Sequence, residues 1–239
     1  HRLKEIRIKR GSLDFDLPEP EIIVDMQGNP ESIIRAERNF AHMIIEEFMI
    51  AANEAVAEYL QQRGIPTIYR IHEEPDPIKF EEIIKILQSQ GIIPRYRVIA
   101  PQDVSGLLKH LAGRPDESVL HAIILRSLKQ ARYCPVNIGH FGLASKCYTH
   151  FTSPIRRYPD LVTHRIVREL IMKKRMSDKR IEQLTALLPE IAFQTSRAER
   201  HAVDAERAAL EALRVWYMKD KEGSSFAGTI VAVTPFGLK

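Results

Sequence analysis

Residues 148–160 have the composition most suited to chemistry, and they read Tyr-Thr-His-Phe-Thr-Ser-Pro-Ile-Arg-Arg-Tyr-Pro-Asp. Hydroxyl groups, two adjacent arginines and aromatic rings lie directly before a predicted helix that begins at Pro159. A helix N-terminus attracts phosphate through its free N–H groups and its dipole, and a guanidinium matches two phosphate oxygens. The alternative is a capped helix start with solvated arginines and packed rings. The stretch therefore predicts either a phosphate-binding loop or an ordinary helix start.

The composition of the 239 residues is that of a globular protein. Hydrophobic residues make up 44% of the chain, and 35 Lys and Arg against 31 Asp and Glu give a net charge of +4. This mild excess permits a nucleic-acid partner without requiring one. No apolar run approaches the roughly 20 residues that span a bilayer, so we expect no membrane partner. Cys134 and Cys147 are too few for a disulfide framework, which favours a cytoplasmic location.

The elements that position this stretch are mainly helical by their hydrophobic periodicity. The long helix is predicted over residues 38–62, where apolar residues recur at helical spacing, namely Phe40, Ile44, Phe48, Ala52, Val56 and Tyr59. Asp76 and Pro77 are predicted as the N-cap and first residue of another helix. Ser177 should cap a helix that Pro189 breaks or kinks, before a last helix over residues 190–220. Further helices are predicted over residues 2–10, 102–111 and 116–131.

Strand-like patterns are few and lie mostly near the two ends of the chain. They occur at residues 13–17, 21–25, 67–71 and 226–233. The pattern predicts an α+β fold, mainly helical with a few strands. We expect one domain over residues 1–222, then a Gly-Ser-Ser linker and the first strand of a separate β module over residues 223–239. A strand without a partner is unstable, so we interpret the chain as part of a longer protein.

Several segments together resemble the ribonuclease II / ribonuclease R (RNB) family. The strongest resemblance is carried by residues 148–161, preceded by His-Phe-Gly-Leu-Ala at 140–144 and followed by His164 and Arg165. Other segments that resemble the family in the same order are residues 11–19, 46–54, 69–73 and 125–131. Residues 226–238 resemble the first strand and turn of an S1 RNA-binding domain. The resemblance implies the C-terminal part of an RNB-type catalytic domain followed by the start of an S1 β-barrel.

The resemblance also implies an activity. Members are hydrolytic exoribonucleases that degrade single-stranded RNA from its 3′ end, release nucleoside 5′-monophosphates and use Mg²⁺. Two metal ions in such a site clamp the attacking and leaving oxygens. The family holds its metal ions on an Asp-rich motif upstream of the segments seen here, and Asp14 and Asp16 do not match it. We therefore expect no metal ligand in this chain and no nuclease activity from this chain by itself.

Family positions that match this chain imply roles for individual residues. Arg156 is implied to be catalytic, contacting the scissile phosphate, where a fixed cation stabilises charge developing in the transition state. Glu206 is implied to hold the terminal nucleotide. Glu46 is implied to lie near the RNA sugars, where a carboxylate in contact with a 2′-hydroxyl distinguishes RNA from DNA.

Three more residues are implied to bind substrate. Phe15 matches a family aromatic that stacks on a base near the 3′ end, a contact that tolerates any base. Tyr158 belongs to the Arg156 motif. Asn53 lies seven residues after Glu46, hence on the same helix face, and is either a partner of the substrate site or ordinary helix polarity.

Two other interpretations compete with an exoribonuclease. One is a zinc protein built on Cys134, His140, Cys147 and His150, although only Cys147 and His150 have passable ligand spacing. The other is a non-catalytic RNA-binding descendant of the same fold. An Asp-rich motif upstream of His1 would indicate the nuclease, and its loss would indicate the binding protein.

Overall fold

The computed structural model describes residues 1–13, 20–36, 39–93, 100–228, 230, 233–235 and 237–238. The helices are α1 Arg2–Arg10, α2 Phe40–Gln62, α3 Pro77–Ser89, α4 Pro101–Leu111, α5 Glu117–Ser127, α6 Tyr158–Lys173 and α7 Asp178–Lys219. A 3₁₀ turn covers Phe141–Leu143. The prediction of a mainly helical α+β fold is confirmed.

The described strands form three separate antiparallel pairs. Strands β1 Pro20–Val24 and β2 Pro30–Arg35 form one hairpin, and β5 Val233–Thr234 and β6 Gly237–Leu238 form another. The third pair joins distant parts of the chain, because β3 Tyr69–Ile71 pairs with β4 Arg132–Cys134. The pairing brings the chain around residues 69–71 next to the loop that follows β4.

Local chemistry explains where several helices begin and end. The Asp76 carboxylate accepts hydrogen bonds from the N–H groups of Ile78 (3.0 Å) and Lys79 (3.4 Å), and Pro77 needs no N–H partner. Helix α1 ends at Gly11, whose φ of 97° lies in the left-handed region that glycine adopts without strain. These predicted boundaries are confirmed.

Three predicted elements differ from the structure. The helix predicted over residues 116–131 ends at Ser127, because Arg132–Cys134 pair with Tyr69–Ile71 as a strand. Pro189 does not end a helix, since α7 runs unbroken from Asp178 to Lys219. The predicted strand over residues 226–233 is wrong for residues 226–228, which are not strand, and the strand begins at Val233.

Two apolar clusters form most of the described core. The first joins α3, α4 and α5 through buried side chains that include Phe80, Leu107 and Ile124. The second packs α2, α6 and the first half of α7 together, with Leu60 and Leu188 both fully buried. The second cluster explains why α7 passes Pro189, because Leu184, Leu188 and Ala192 bury one continuous face on both sides of it.

Helix α2 buries only its C-terminal part. Its buried residues are Ile50, Asn53, Ala57 and Leu60. Toward the N-terminus, Phe40 and Phe48 are 56% and 63% exposed, although they share the helical apolar spacing. The periodicity thus identifies the helix, whereas tertiary packing decides which part of it is buried.

Candidate functional site

Residues 148–160, which we name the motif loop, are fixed to strand β3 by their first residues. The Arg70 N–H donates to the Tyr148 carbonyl (2.9 Å), and the Thr149 hydroxyl donates to the Ile68 carbonyl (2.5 Å). Thr149 is fully buried and Tyr148 nearly so. Because these donors and acceptors are satisfied inside the protein, the start of the loop is a rigid support.

Helix α2 holds the same loop through Asn53, which is 1% exposed. Its amide nitrogen donates to the Tyr148 hydroxyl (2.9 Å), and its amide oxygen accepts the Phe151 N–H (2.9 Å). Next along the loop, the His164 ring stacks on Phe151 at 3.9 Å between centroids. Asn53 therefore positions the loop from beneath, through both ends of its amide.

A ladder of five aromatic rings crosses the loop. His72, His140, Tyr148, His150 and Tyr133 follow one another edge to face, with centroid distances of 5.2, 5.5, 5.8 and 5.6 Å. This is the arrangement that aromatic quadrupoles favour. At its end the Tyr133 hydroxyl lies 2.9 Å from His150 Nδ1.

The histidines of the ring ladder are held neutral. Burial, with the positive charge of Arg157 as the next cause, lowers the pKa of His150 to about 2. Burial and the neighbouring His72 lower the pKa of His140 to about 3. Burial raises the pKa of Tyr133 to about 12. Tyr133 thus keeps its proton at neutral pH, and its hydroxyl lies within hydrogen-bond distance of His150 Nδ1.

The second half of the motif loop is a tight turn over residues 153–157, which we name the Arg156 turn. The Ser153 carbonyl accepts the N–H groups of Arg156 (3.3 Å) and Arg157 (3.0 Å). Below the turn, Asp160 Oδ1 accepts the Ser153 N–H (2.8 Å) and Arg157 Nη2 (2.7 Å). Asp160 is fully buried. Arg157 therefore forms an ion pair with Asp160.

The tip of this turn is open. Ile155 is fully exposed, Arg156 is exposed, and Tyr158 is 49% exposed. The Arg157 side chain, in contrast, is only 17% exposed. Of the two adjacent arginines, one is used inside the fold and the other projects from a rigid turn.

Helix α7 is tied to the motif loop through Tyr133 and Arg70. The Tyr133 N–H donates to the Ser196 hydroxyl (2.9 Å). The Arg70 guanidinium lies 4.7 Å from the centre of the Tyr133 ring and pairs with Glu199 at 2.5 Å. Beyond this connection Glu206 is exposed on the helix.

The structure brings only some of the predicted site residues together. Asn53 contacts the motif loop that carries Arg156 and Tyr158. Glu46 is partly exposed and lies 3.6 Å from the Arg7 guanidinium, which binds Glu47 more closely at 2.6 Å. Glu46 and Glu206 lie on α2 and α7, outside the motif loop, and Phe15 lies outside the described residues.

The described part of the chain contains no group of three or more His, Cys, Asp or Glu side chains placed to hold a metal ion. The residues of the zinc alternative are all described, and they are Cys134, His140, Cys147 and His150. Burial raises the pKa of the Cys147 thiol to about 11, which disfavours the thiolate that zinc binds. The zinc alternative is therefore not supported.

Within the described ranges, none of the helices combines the length and the apolar character needed to cross a bilayer.

Sequence reasoning missed the residues that hold the motif loop from elsewhere. Asp160 stood in the motif itself, three residues after Arg157, and this spacing in the first turn of a helix was the available signal. Arg70, Tyr133 and Glu199 are far apart in sequence and gave no such signal. Only the pairing of β3 with β4 brings the first two together.

Comparison with known proteins defines the class of this protein. The RNB domain family model matches residues 1–173, and the chain belongs to the RNB domain family. Ribonuclease R from Aquifex aeolicus is 42% identical over 236 residues, which cover 98% of this chain and 33% of that protein. The chain thus spans about a third of the length of the curated relatives it matches.

Solved structures agree with the sequence relatives. Mycoplasma genitalium RNase R in complex with ribose-methylated single-stranded RNA matches with a TM-score of 0.92 and 32% identity, covering 99% of this chain and 37% of that one. The same enzyme in complex with double-stranded RNA matches with a TM-score of 0.91 and 31% identity, covering 99% and 42%. The similarity extends over nearly all of this chain.

Proposed function

We propose that the protein containing this chain is a 3′→5′ hydrolytic exoribonuclease that binds single-stranded RNA 3′ ends and releases nucleoside 5′-monophosphates. The observation that carries the proposal is the exposed Arg156 at the tip of a turn whose two ends are bonded to a buried carboxylate. Such a turn is a fixed support for a cation. Similarity to ribonuclease R proteins over nearly the whole chain supports the choice of an RNA phosphodiester as the substrate.

In the reaction, water attacks the last phosphodiester, the bond from phosphorus to the 3′-oxygen breaks, and that oxygen leaves with a proton. Negative charge grows on the non-bridging oxygens in the transition state. A preorganised guanidinium at Arg156 stabilises this charge without reorganising as the reaction proceeds. The backbone of Arg156 is already fixed at the open tip of the turn, so the turn need not be built when RNA arrives.

Phosphate recognition falls to the Arg156 side chain rather than to the N-terminus of α6. The first turn of α6 contains the Asp160 carboxylate, which lies beneath the Arg156 turn. A carboxylate at that position already uses the favourable field of the helix N-terminus and repels a second anion. Of the two contributions expected from the sequence, the guanidinium is therefore the stronger.

The remaining site residues keep their proposed roles with the substrate. Tyr158 is half exposed beside Arg156, where its ring is available to a nucleotide. Glu206 would hold the terminal nucleotide, Glu46 a ribose hydroxyl and Phe15 a base. For Asn53 we propose an indirect role, because both ends of its amide are bonded to the motif loop.

We propose Mg²⁺ as the cofactor, with its ligands on an aspartate-rich segment outside this chain. The chemistry that Mg²⁺ supplies in such sites is charge neutralisation at phosphate oxygens. The domain division into residues 1–222 and an S1 module that begins within residues 223–239 is proposed on the same resemblance.

Digestion of matched RNA substrates tests the function. The full-length protein with Mg²⁺ should shorten a 5′-labelled linear RNA progressively and release nucleoside 5′-monophosphates. A circular RNA and a DNA of the same sequence are the matched controls, and both should remain intact. Cutting of the circle would indicate an endonuclease. Tight binding of the linear RNA without any shortening would favour the non-catalytic RNA-binding descendant.

A further inference from the structure

The Asp160 carboxylate has contacts that a helix start does not require. Asp178 occupies the first turn of α7 and is exposed, as is usual for a carboxylate that favours the helix dipole. Asp160 is fully buried and bonds backward, outside its own helix, to the Ser153 N–H and the Arg157 guanidinium. Burying a carboxylate is costly unless it is paired. The two contacts offset that cost, and the burial of Asp160 therefore needs a reason beyond the helix dipole.

The two contacts lie on either side of Arg156. One partner of Asp160 begins the turn and the other ends it, and the Ser153 carbonyl closes the turn by accepting the N–H groups of Arg156 and Arg157. A single oxygen, Asp160 Oδ1, thus joins both ends of a five-residue turn. The backbone of Arg156 is fixed between them.

The same contacts separate the tasks of the adjacent arginines. Arg157 is only 17% exposed and its Nη2 is bonded to Asp160, so its charge serves the turn. Arg156 is exposed and lies at the tip. An arginine that must meet a phosphate in one orientation gains from a support that does not rotate, because misplacement of a catalytic group costs rate steeply.

We propose that Asp160 is a positioning residue that fixes the direction of the Arg156 guanidinium toward the scissile phosphate. This inference rests on the proposed function. Asp160 touches neither RNA nor the reacting atoms, and it acts through the Arg156 turn. Its loss should therefore lower turnover by way of Arg156 and leave the grip of the protein on the rest of the RNA nearly unchanged.

The first test is a split between turnover and affinity in the full-length protein. Asp160→Asn keeps an oxygen for the Ser153 N–H but removes the charge that holds Arg157. We expect kcat to fall about 10-fold or more, while the Kd for single-stranded RNA changes less than about 3-fold, since many other cations hold the RNA backbone. Asp178→Asn, the same change in the first turn of α7, should leave both values unaltered.

A double-mutant cycle separates positioning from a merely structural role. In an Arg156→Ala background, Asp160→Asn should cause no further loss of kcat, because the group it positions is gone. Equal losses of kcat in both backgrounds would overturn the proposal. If Asp160→Asn does not fold, judged by its thermal melting, Arg157→Lys is the second variant. It keeps the charge beside Asp160 but not the guanidinium fork, and the same non-additivity is expected.

The outcome for Asp160 is distinguishable from the outcome for the function. A wild-type protein that degrades RNA and shows an additive cycle refutes the positioning role alone. A wild-type protein that binds RNA without degrading it refutes the proposed function, and the positioning of Arg156 for catalysis is overturned with it.

Discussion

The motif loop and the distal part of α7, residues 197–219, carry the two most different parts of the proposed site. Arg156 projects from the motif loop, which is bonded to α2, β3 and α6. Glu206 projects from a helix whose last buried residue is Ser196, ten residues earlier. The position of Arg156 is thus fixed by dense local contacts, whereas that of Glu206 is fixed by the rigidity of a helix anchored elsewhere.

Because of this difference, we expect Arg156 and Glu206 to respond differently to substitutions in the residues that support them. A change beneath the Arg156 turn should act on Arg156 alone. A change in the proximal part of α7 should displace Glu206 over a distance, because residues 197–219 include no fully buried side chain and only Glu199, Leu210, Leu213 and Tyr217 are partly buried.

The largest expected effect comes from breaking the anchor of α7. Leu188 is fully buried in the second apolar cluster, so Leu188→Ala should lower the free energy of unfolding by about 4 kcal/mol through lost burial and a cavity. Leu187, the next residue, is 52% exposed. Leu187→Ala is therefore the matched control and should cost less than about 1 kcal/mol. Urea titration measures both, and equal losses would contradict the packing of α7.

The next largest effect is expected from removing the Arg156 side chain at the tip of the motif loop. Arg156→Ala in the full-length protein should lower kcat about 100-fold, since it deletes a fixed stabiliser of transition-state charge. The Kd for RNA should change little, because other cations hold the backbone. Arg175→Ala, at an exposed arginine after α6, is the control. Single-turnover assays decide, and unchanged turnover of Arg156→Ala would remove Arg156 from the site.

A smaller effect is expected from protonation of the buried histidine rings of the ring ladder. Below the unfolded pKa of 6.5, the unfolded chain protonates His150 while the folded protein, with a pKa of about 2, does not. Stability is therefore full above about pH 6.5 and falls as the pH decreases, by up to about 1.4 kcal/mol per pH unit for this group. The free energy of unfolding measured in urea at pH 7 and pH 5 should show the fall.

His150→Gln should reduce that loss, because glutamine has no proton to gain. His140 should continue to contribute through its pKa of about 3. His201→Gln, at an exposed position on α7, should leave the pH dependence as in the wild type. A pH dependence that is identical in all three proteins would show that His150 is not held neutral by the fold.

The smallest expected effect comes from the distal part of α7. Glu206→Gln removes one charged contact to the terminal nucleotide and should lower kcat/KM about 10-fold, the usual scale of a hydrogen bond to a charged group. Glu182→Gln, exposed on the proximal part of α7, is the control. An effect of Glu206→Gln as large as that of Arg156→Ala would mean that the two regions contribute equally.

Local sequence signals predicted the boundaries of the fold where chemistry is local. Asp76 and Pro77 begin α3, and Gly11 ends α1, because caps and left-handed turns involve only neighbouring residues. Pro189 was misjudged, and the strand at residues 132–134 was missed, for the opposite reason. A continuous buried face keeps α7 helical across Pro189, and a strand partner more than 60 residues earlier makes residues 132–134 into β4.

The residues of the candidate site likewise divide into those that local sequence signals identify and those that only the fold brings together. The motif contains Arg156, Arg157 and Tyr158, and the structure places the two arginines on one turn with Tyr158 directly after it at the start of α6. The sequence left two interpretations of Asn53 open, and the fold shows that both ends of its amide are bonded to a loop about a hundred residues later. Tyr133 likewise becomes relevant only once β3 and β4 are paired.

The ring ladder offers a way to follow ligand binding to the motif loop by magnetic resonance. The His150 ring stands at 78° to the Tyr148 ring and at 72° to the Tyr133 ring, with centroids 5.8 and 5.6 Å away, so it lies within the ring-current fields of both. The imidazole resonances of His150 should lie well away from those of solvent-exposed histidines. Small displacements of the loop when a ligand arrives will shift these lines, which makes His150 a magnetic-resonance probe that needs no attached label.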